Sequence, residues 1–249
     1  MLKYILLGIV QGITEFFPVS SSGHLVIAQK LLGMRGEEVG ISVILHLGTS
    51  LSLIVFFFND ILKLWRNKKT LWLVLVVTFI TGVIGIGGKD FFESLFSSAE
   101  VVALTLLITG TILILTKRFS NGKREKIGIK DALILGLTQG AAIVPGISRS
   151  GITISTLLFR GINPGVSFNF SFLASIPAVL GAALLEAKEI NLVLKGDAKS
   201  LVAGFIFSFL TGLLALTLLK KILQRAKFHY FGYYCIVLAA ALVIYLRLN

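Results

Sequence analysis

A single cysteine, Cys235, excludes an intramolecular disulfide, and its apolar neighbours argue against a thiolate metal or redox motif. Charge is scarce too. Only 14% of the residues are Asp, Glu, Lys or Arg, while 55% are hydrophobic and the mean hydropathy is +0.91, more apolar surface than a soluble core of this size can use. Acidic residues are the scarcer sign, 12 against 24 Lys and Arg, for a net charge of +12. Such an excess can signal nucleic acid, but here the basic residues fall in short clusters between apolar stretches. Cytoplasmic loops and anionic head groups explain that better. The composition predicts an all-α integral membrane protein, in contact with membrane lipids and without a nucleic-acid partner.

Against this apolar background, Q-G-I-T-E-F-F-P-V-S-S-S-G-H from Gln11 to His24 is the concentration of polar residues that the chain is organised around. It has a partner. Aligned without a gap, Gln139 to Ile152 reads Q-G-A-A-I-V-P-G-I-S-R-S-G-I, so Gln-Gly and Ser-x-Ser-Gly recur in register. The match extends backwards, where I-L-L-G-I-V-Q-G from Ile5 is similar to L-I-L-G-L-T-Q-G from Leu133. A charged start followed by an apolar run also suits a signal peptide, but the same pattern in mid-chain assigns it to the mature fold. The reading is one membrane domain, residues 1–249, made of repeat one (1–128) and repeat two (129–249), with one site built from both.

In each repeat the motif sits between two apolar runs too short for the roughly 20 residues of a spanning helix. Residues 1–32, broken at Pro18 to Gly23, and 131–163, broken at Pro145 to Gly151, are therefore expected to be re-entrant helical hairpins whose breaks line a cavity. Full spans are expected at about Ile41–Phe58, Leu71–Gly87, Ala99–Thr116, Phe168–Leu185, Leu201–Leu219 and Tyr230–Leu246. Loops are expected at Gly33–Gly40, Asn59–Thr70, Gly88–Ser98, in the basic stretch from Lys117 to Lys130, and at Glu186–Lys199. The positive-inside rule puts both termini outside. A hairpin plus three spans per repeat inverts the second copy relative to the first, the usual plan of secondary transporters. A lipid-phosphate transporter or flippase is therefore the alternative function.

Glu15 is the residue that most needs explaining, because a charge in apolar sequence costs on the order of 3 kcal/mol at a helix centre. Gln11 lies one turn earlier on the same face and can share its ligand or pack. Ser20, Ser21 and Ser22, followed by Gly23 and His24, offer hydroxyls and amides to an anion, and the imidazole can act as acid, base or nucleophile. In the second break Arg149 stands between Ser148 and Ser150 with glycines either side, a planar fork of donors suited to phosphate oxygens. Together the breaks supply a phosphate-chemistry set. The remaining histidines are read as structural: His46 as a satisfied interior residue, His229 as an interfacial anchor.

At Gln11–His24 and at P-G-I-S-R-S-G-I-T, Pro145–Thr153, the sequence closely resembles the undecaprenyl-diphosphate phosphatase family associated with bacitracin resistance, over essentially the whole chain. The resemblance implies hydrolysis of the terminal phosphate of undecaprenyl diphosphate on the outer face of the bacterial plasma membrane. It also implies recycling of the carrier lipid for cell-wall synthesis and a divalent cation, magnesium or calcium. Catalytic duties fall on Glu15, Ser21, His24 and Arg149, with Ser21 as nucleophile assisted by His24, and Glu15 orienting His24 or holding a metal. Phosphate binding falls on Gln11, Ser20, Ser22, Gly146, Ser148, Ser150 and Thr153. The family's first motif opens with Glu or Gln; with Gln11 here, Glu15 must carry more. A homodimer is compatible with all of this.

Overall fold

The computed structural model of the protein describes residues 1–34, 38–96, 98–193 and 198–248. Among these, every regular element is helical. In order they are α1 (Leu2–Phe16), α2 (Ser21–Leu31), α3 (Glu38–Phe56), α4 (Phe58–Arg66), α5 (Lys68–Gly87), α6 (Lys89–Phe96) and α7 (Ala99–Leu115). After a 3-10 turn at Thr116–Phe119 come α8 (Ile129–Ala141), α9 (Arg149–Phe159), α10 (Pro164–Val193), α11 (Ala198–Gln224) and α12 (Tyr230–Leu248). Five stretches among them, Lys68–Gly87, Ala99–Phe119, Pro164–Ala183, Ala198–Gln224 and Tyr230–Leu248, are long and apolar enough to cross a bilayer. Gly40–Phe56 with Phe58–Arg66 makes a sixth if the bend of 62° between them is counted within one span. Their outer faces carry Trp72, Phe79, Ile86, Leu104 and Val237 in the open, as a lipid-facing surface requires.

Loops were expected where the structure has helix. Asn59–Thr70 folds as most of α4 and the start of α5, because Phe58, Leu62 and Trp65 recur at helical spacing and, with Asp60, Lys63 and Arg66, make an amphipathic helix. Gly88–Ser98 contains α6, and α10 continues through Glu186 to Val193. Parts of the expected loops, residues 35–37, 97 and 194–197, lie outside the described residues. Helix α10 also starts earlier than Phe168. Pro164 is preformed for a first helical position, and the Asn163 side chain accepts from the amides of Gly165 (2.8 Å) and Val166 (3.4 Å).

The two motifs fall on short helices, with α1 and α2 counting 15 and 11 residues and α8 and α9 counting 13 and 11. Each pair packs on itself, and each first helix leans on the other half of the chain: α1 on α11, and α8 on α5. Helix α3 meets α10, and α7 meets α12. The α1–α11 seam is close because both faces are small. A Cβ at Gly8 would collide with the Gly204 carbonyl oxygen, and one at Gly12 would lie 2.6 Å from Ser208 O. Below the breaks, Phe16, Phe57, Phe168 and Phe172 form one buried cluster, with Phe168 and Phe172 5.0 Å apart and Phe16 5.7 Å from Phe172. That cluster fixes the end of α1 against α3 and α10.

A charged clamp closes the base of the second helix pair. Arg124 Nη1 and Nη2 donate to Asp131 Oδ2 (2.7 Å) and Oδ1 (2.8 Å), and Arg160 Nε donates to Oδ1 (2.8 Å). The entry to α8 and the exit of α9 therefore share one carboxylate. Burial opposes the Asp131 charge, but the Arg124 pair, the Gly128 amide and Arg160 outweigh it and hold the carboxyl down to about 2. A depressed value stabilises the fold above the ordinary 3.8, and the contribution is lost as pH falls through about 2. Asp131→Asn is expected to lower unfolding stability in detergent at neutral pH by about 2 kcal/mol, a charged hydrogen-bond loss discounted for part-exposed arginines. It should also flatten the acid limb of the melting profile; an unchanged melting temperature would remove the clamp from the account.

Candidate active site

The first break begins because of a proline. Phe17, ahead of Pro18, is extended (φ −67°, ψ 143°), which ends α1 at Phe16. The chain then reverses through Ser20 at φ +67°, a left-handed conformation unusual for serine, and α2 starts at Ser21. In the second break Gly146 takes φ +85°, and a Cβ there would collide with Thr105 Oγ1 and lie 2.8 Å from Val102 O. Helix α9 then starts at Arg149, capped by Ser148 Oγ, which accepts from the Gly151 amide at 3.2 Å. Both breaks thus lead into a helix N-terminus. Neighbouring spans brace them. Thr105 Oγ1 donates to Pro145 O (2.6 Å) and Thr109 Oγ1 to Gly146 O (3.2 Å), both from α7, while Cys235 Sγ on α12 donates to Pro18 O (3.4 Å).

The breaks meet. A Cβ on Gly151 would sit 3.1 Å from Pro18 Cβ, and Arg149 Nη2 donates to Glu15 Oε1 at 2.5 Å. The other carboxylate oxygen collects the first break: Ser21 Oγ donates to Glu15 Oε2 at 2.7 Å and Gln11 Nε2 at 3.1 Å. Glu15 is only 11% exposed and Arg149 20%, and Arg149 Nη1 is buried with no hydrogen-bond partner. A guanidinium nitrogen left that way in a protein interior is a place for an incoming oxyanion.

His24 does not touch Ser21. Its Nδ1 lies 2.8 Å from Ser20 O and its Nε2 2.6 Å from the Tyr234 hydroxyl, with the two rings stacked at 5.7 Å. Ser20 Oγ and Ser22 Oγ are 3.3 Å apart, and Ser148 Oγ and Ser150 Oγ repeat that pairing at 3.3 Å in the second break. Thr153 is turned to α10, its hydroxyl 2.7 Å from Ser171 Oγ. Gln11 is fully buried behind Glu15.

Two neighbours were not singled out for the site. His46 Nδ1 lies 2.9 Å from Gln11 Nε2 and 3.6 Å from Glu15 Oε2. A histidine within an apolar span was itself a signal, since such residues default to function. Tyr234 carried none: one tyrosine among several near the start of the last helix does not reveal that it faces His24.

Among the described residues there is no group of three or more His, Cys, Asp or Glu placed to hold a metal, and the site's one carboxylate, Glu15, has both oxygens engaged.

Fold and cluster together define a multi-pass helical membrane protein with a cluster of charged and polar side chains where two short-helix pairs meet. The chain belongs to the family of the bacitracin resistance protein BacA, whose family model matches residues 4–241. Its relatives include a protein of Alkaliphilus metalliredigens named undecaprenyl-diphosphatase, 40% identical over 98% of both chains. Proteins of the same name from Carboxydothermus hydrogenoformans (41% identical, 96% of this chain and 95% of that one) and Halothermothrix orenii (40%, 97% and 96%) are similar to it as well.

The contact between the breaks is directly testable. With Cys235→Ser removing the native thiol, Pro18→Cys combined with Gly151→Cys is expected to form a disulfide on mild oxidation, the Cβ positions being close to bonding range. Two thiols that stay free under oxidation would put the breaks apart.

Proposed function

We propose that this chain hydrolyses undecaprenyl diphosphate to undecaprenyl phosphate and inorganic phosphate, returning the carrier lipid to peptidoglycan synthesis and conferring bacitracin resistance. The observation that carries the reading is the Glu15–Arg149 pair with Ser21 on the same carboxylate, which gathers an acid, a hydroxyl and a cation from both halves at one point. Family membership and relatives named for this activity support it.

In this reading the unpartnered Arg149 Nη1 takes a phosphate oxygen, and the N-termini of α2 and α9 with Ser20, Ser22, Ser148 and Ser150 supply further donors. Ser21 attacks the terminal phosphorus, breaking its bond to the bridging oxygen and releasing undecaprenyl phosphate, while Glu15, already accepting the Ser21 proton at 2.7 Å, serves as the base. His24 assists from the other side of the break: a water held by its Nε2 releases the phosphate once Tyr234 has moved off. Gln11, Gly146 and Thr153 act behind these groups by holding Glu15 and the second break in place.

Glu15 and Arg149 cancel, so a diphosphate arrives with uncompensated charge. A magnesium or calcium ion would balance it, held chiefly by the phosphate oxygens with Glu15 as the one nearby carboxylate. Chelation is therefore expected to suppress turnover, while calorimetric titration of magnesium into substrate-free protein should show no stoichiometric site; a tight site in the free protein would contradict this.

The exchange of helix contacts between halves supports a duplicated unit, repeat one 1–128 and repeat two 129–249, and the basic segments between spans support an arrangement in the plasma membrane with the site opening outward. The deciding assay is phosphate release from undecaprenyl diphosphate by purified protein. Glu15→Ala, Ser21→Ala, His24→Ala and Arg149→Ala are each expected to lower turnover by roughly 10²-fold or more. Ser21→Ala should still bind substrate. Near-normal turnover by it would discard Ser21 as nucleophile, and a folded but inert wild type would make lipid-phosphate flipping the reading to assay.

A further inference from the structure

His24 in the first break and His46 beside the Glu15 carboxylate have partners of opposite character, and these fix where each ring carries its proton. Ser20 O can only accept, so His24 Nδ1, 2.8 Å away, bears a hydrogen, and its Nε2 is the bare nitrogen that accepts from the Tyr234 hydroxyl at 2.6 Å. His46 is the reverse. The Gln11 amide nitrogen donates one hydrogen to Glu15 Oε2 at 3.1 Å and turns its other toward His46 Nδ1 at 2.9 Å. Flipping the amide would press its carbonyl oxygen against the carboxylate, so this orientation is the stable one. His46 Nδ1 must then be the lone-pair nitrogen, and a neutral ring keeps its hydrogen on Nε2.

Exposure tells which of these groups a ligand can reach. Gln11 is 0% exposed and the Glu15 side chain 11%, whereas the His46 side chain is 37% exposed. With Nδ1 against Gln11, the opposite, Nε2 edge is the open one, and it has no hydrogen-bond partner among the described residues. We infer that His46 is a substrate-contacting residue that donates its Nε2–H to a phosphate oxygen of the diphosphate, and that Gln11 is the positioning residue that holds it in that tautomer. The site then has two unlike donors beside Glu15: the Arg149 guanidinium and the His46 imidazole. It also gives Gln11 a task that a carboxylate could not perform, since a carboxylate has no hydrogen to give to Nδ1.

The inference rests on the phosphatase reading for its ligand but not for its tautomer, so the two can fail separately. The chain has three histidines, and nitrogen-15 labelling of all three allows the tautomers to be read by NMR in detergent, without substrate, at about pH 8 where imidazoles are ordinarily neutral. The signal lost in His46→Gln identifies His46. It is expected to be protonated on Nε2 and His24 on Nδ1; an Nδ1-protonated His46 overturns the inference. Kinetics then separates the two edges of the ring. His46→Gln puts an amide nitrogen near the Nε2 position and should keep kcat/KM within about ten-fold, whereas His46→Asn, which fills only the Nδ1 position, should lose roughly 10²-fold, the scale of one transition-state donor. Rescue by Asn equal to that by Gln would make His46 a structural prop for Gln11 and sink the proposal. If wild type itself releases no phosphate, the function assigned above fails, while the NMR result still decides the tautomer.

Discussion

The structure depends on one buried ion pair between parts of the chain that are 134 residues apart. Neither Glu15 nor Arg149 could remain charged alone in a membrane interior, because leaving one partner without the other costs several kcal/mol. Each is therefore a demand that the other be delivered. The two broken helices meet that demand by bringing their tips into contact, with Gly151 against Pro18, so that the pairing distance is set by backbone rather than by extended side chains.

Delivering two loops to one point inside a membrane raises a second problem, since irregular backbone there must find hydrogen-bond partners within the protein. Different spans solve it for the two breaks. Threonines of α7 bond the carbonyls of Pro145 and Gly146, and the thiol of Cys235 on α12 bonds that of Pro18. A cysteine that composition alone consigns to packing thus also satisfies a backbone carbonyl. The small-residue seam between α1 and α11 and the phenylalanine cluster beneath Glu15 keep the first tip at the right depth. Rigid neighbours around a strained turn such as Ser20 are what allow a reactive geometry to persist without substrate.

The chemistry follows from how fully Glu15 is occupied. One oxygen faces a cation and the other receives donors from Ser21 and Gln11, so the carboxylate orders its surroundings before any phosphate arrives. Such preorganisation is the usual source of transition-state stabilisation in a dry site. The unpartnered Arg149 nitrogen and the exposed His46 ring are the groups to which the proposed reading assigns the ligand.

Much of this protein was legible in its sequence, and the reason is the membrane. A bilayer forces spans of fixed length and penalises every polar residue within them, so the spans, the two short-helix pairs and the need of Glu15 and Arg149 for partners can be read without coordinates. Amphipathic segments such as α4 escaped because their charges resemble a loop until the apolar face is seen. Sequence alone could not determine which hydrogen bonds the polar residues choose. It suggested Ser21 beside His24, but the folded chain turns Ser21 to Glu15 and His24 to Tyr234, and brings His46 in from another helix. Ser21 and Glu15 are only six residues apart but on opposite sides of a break, and the other contacts join residues far apart in the chain, where no periodicity or spacing carries information, so only the packed arrangement of helices decides them.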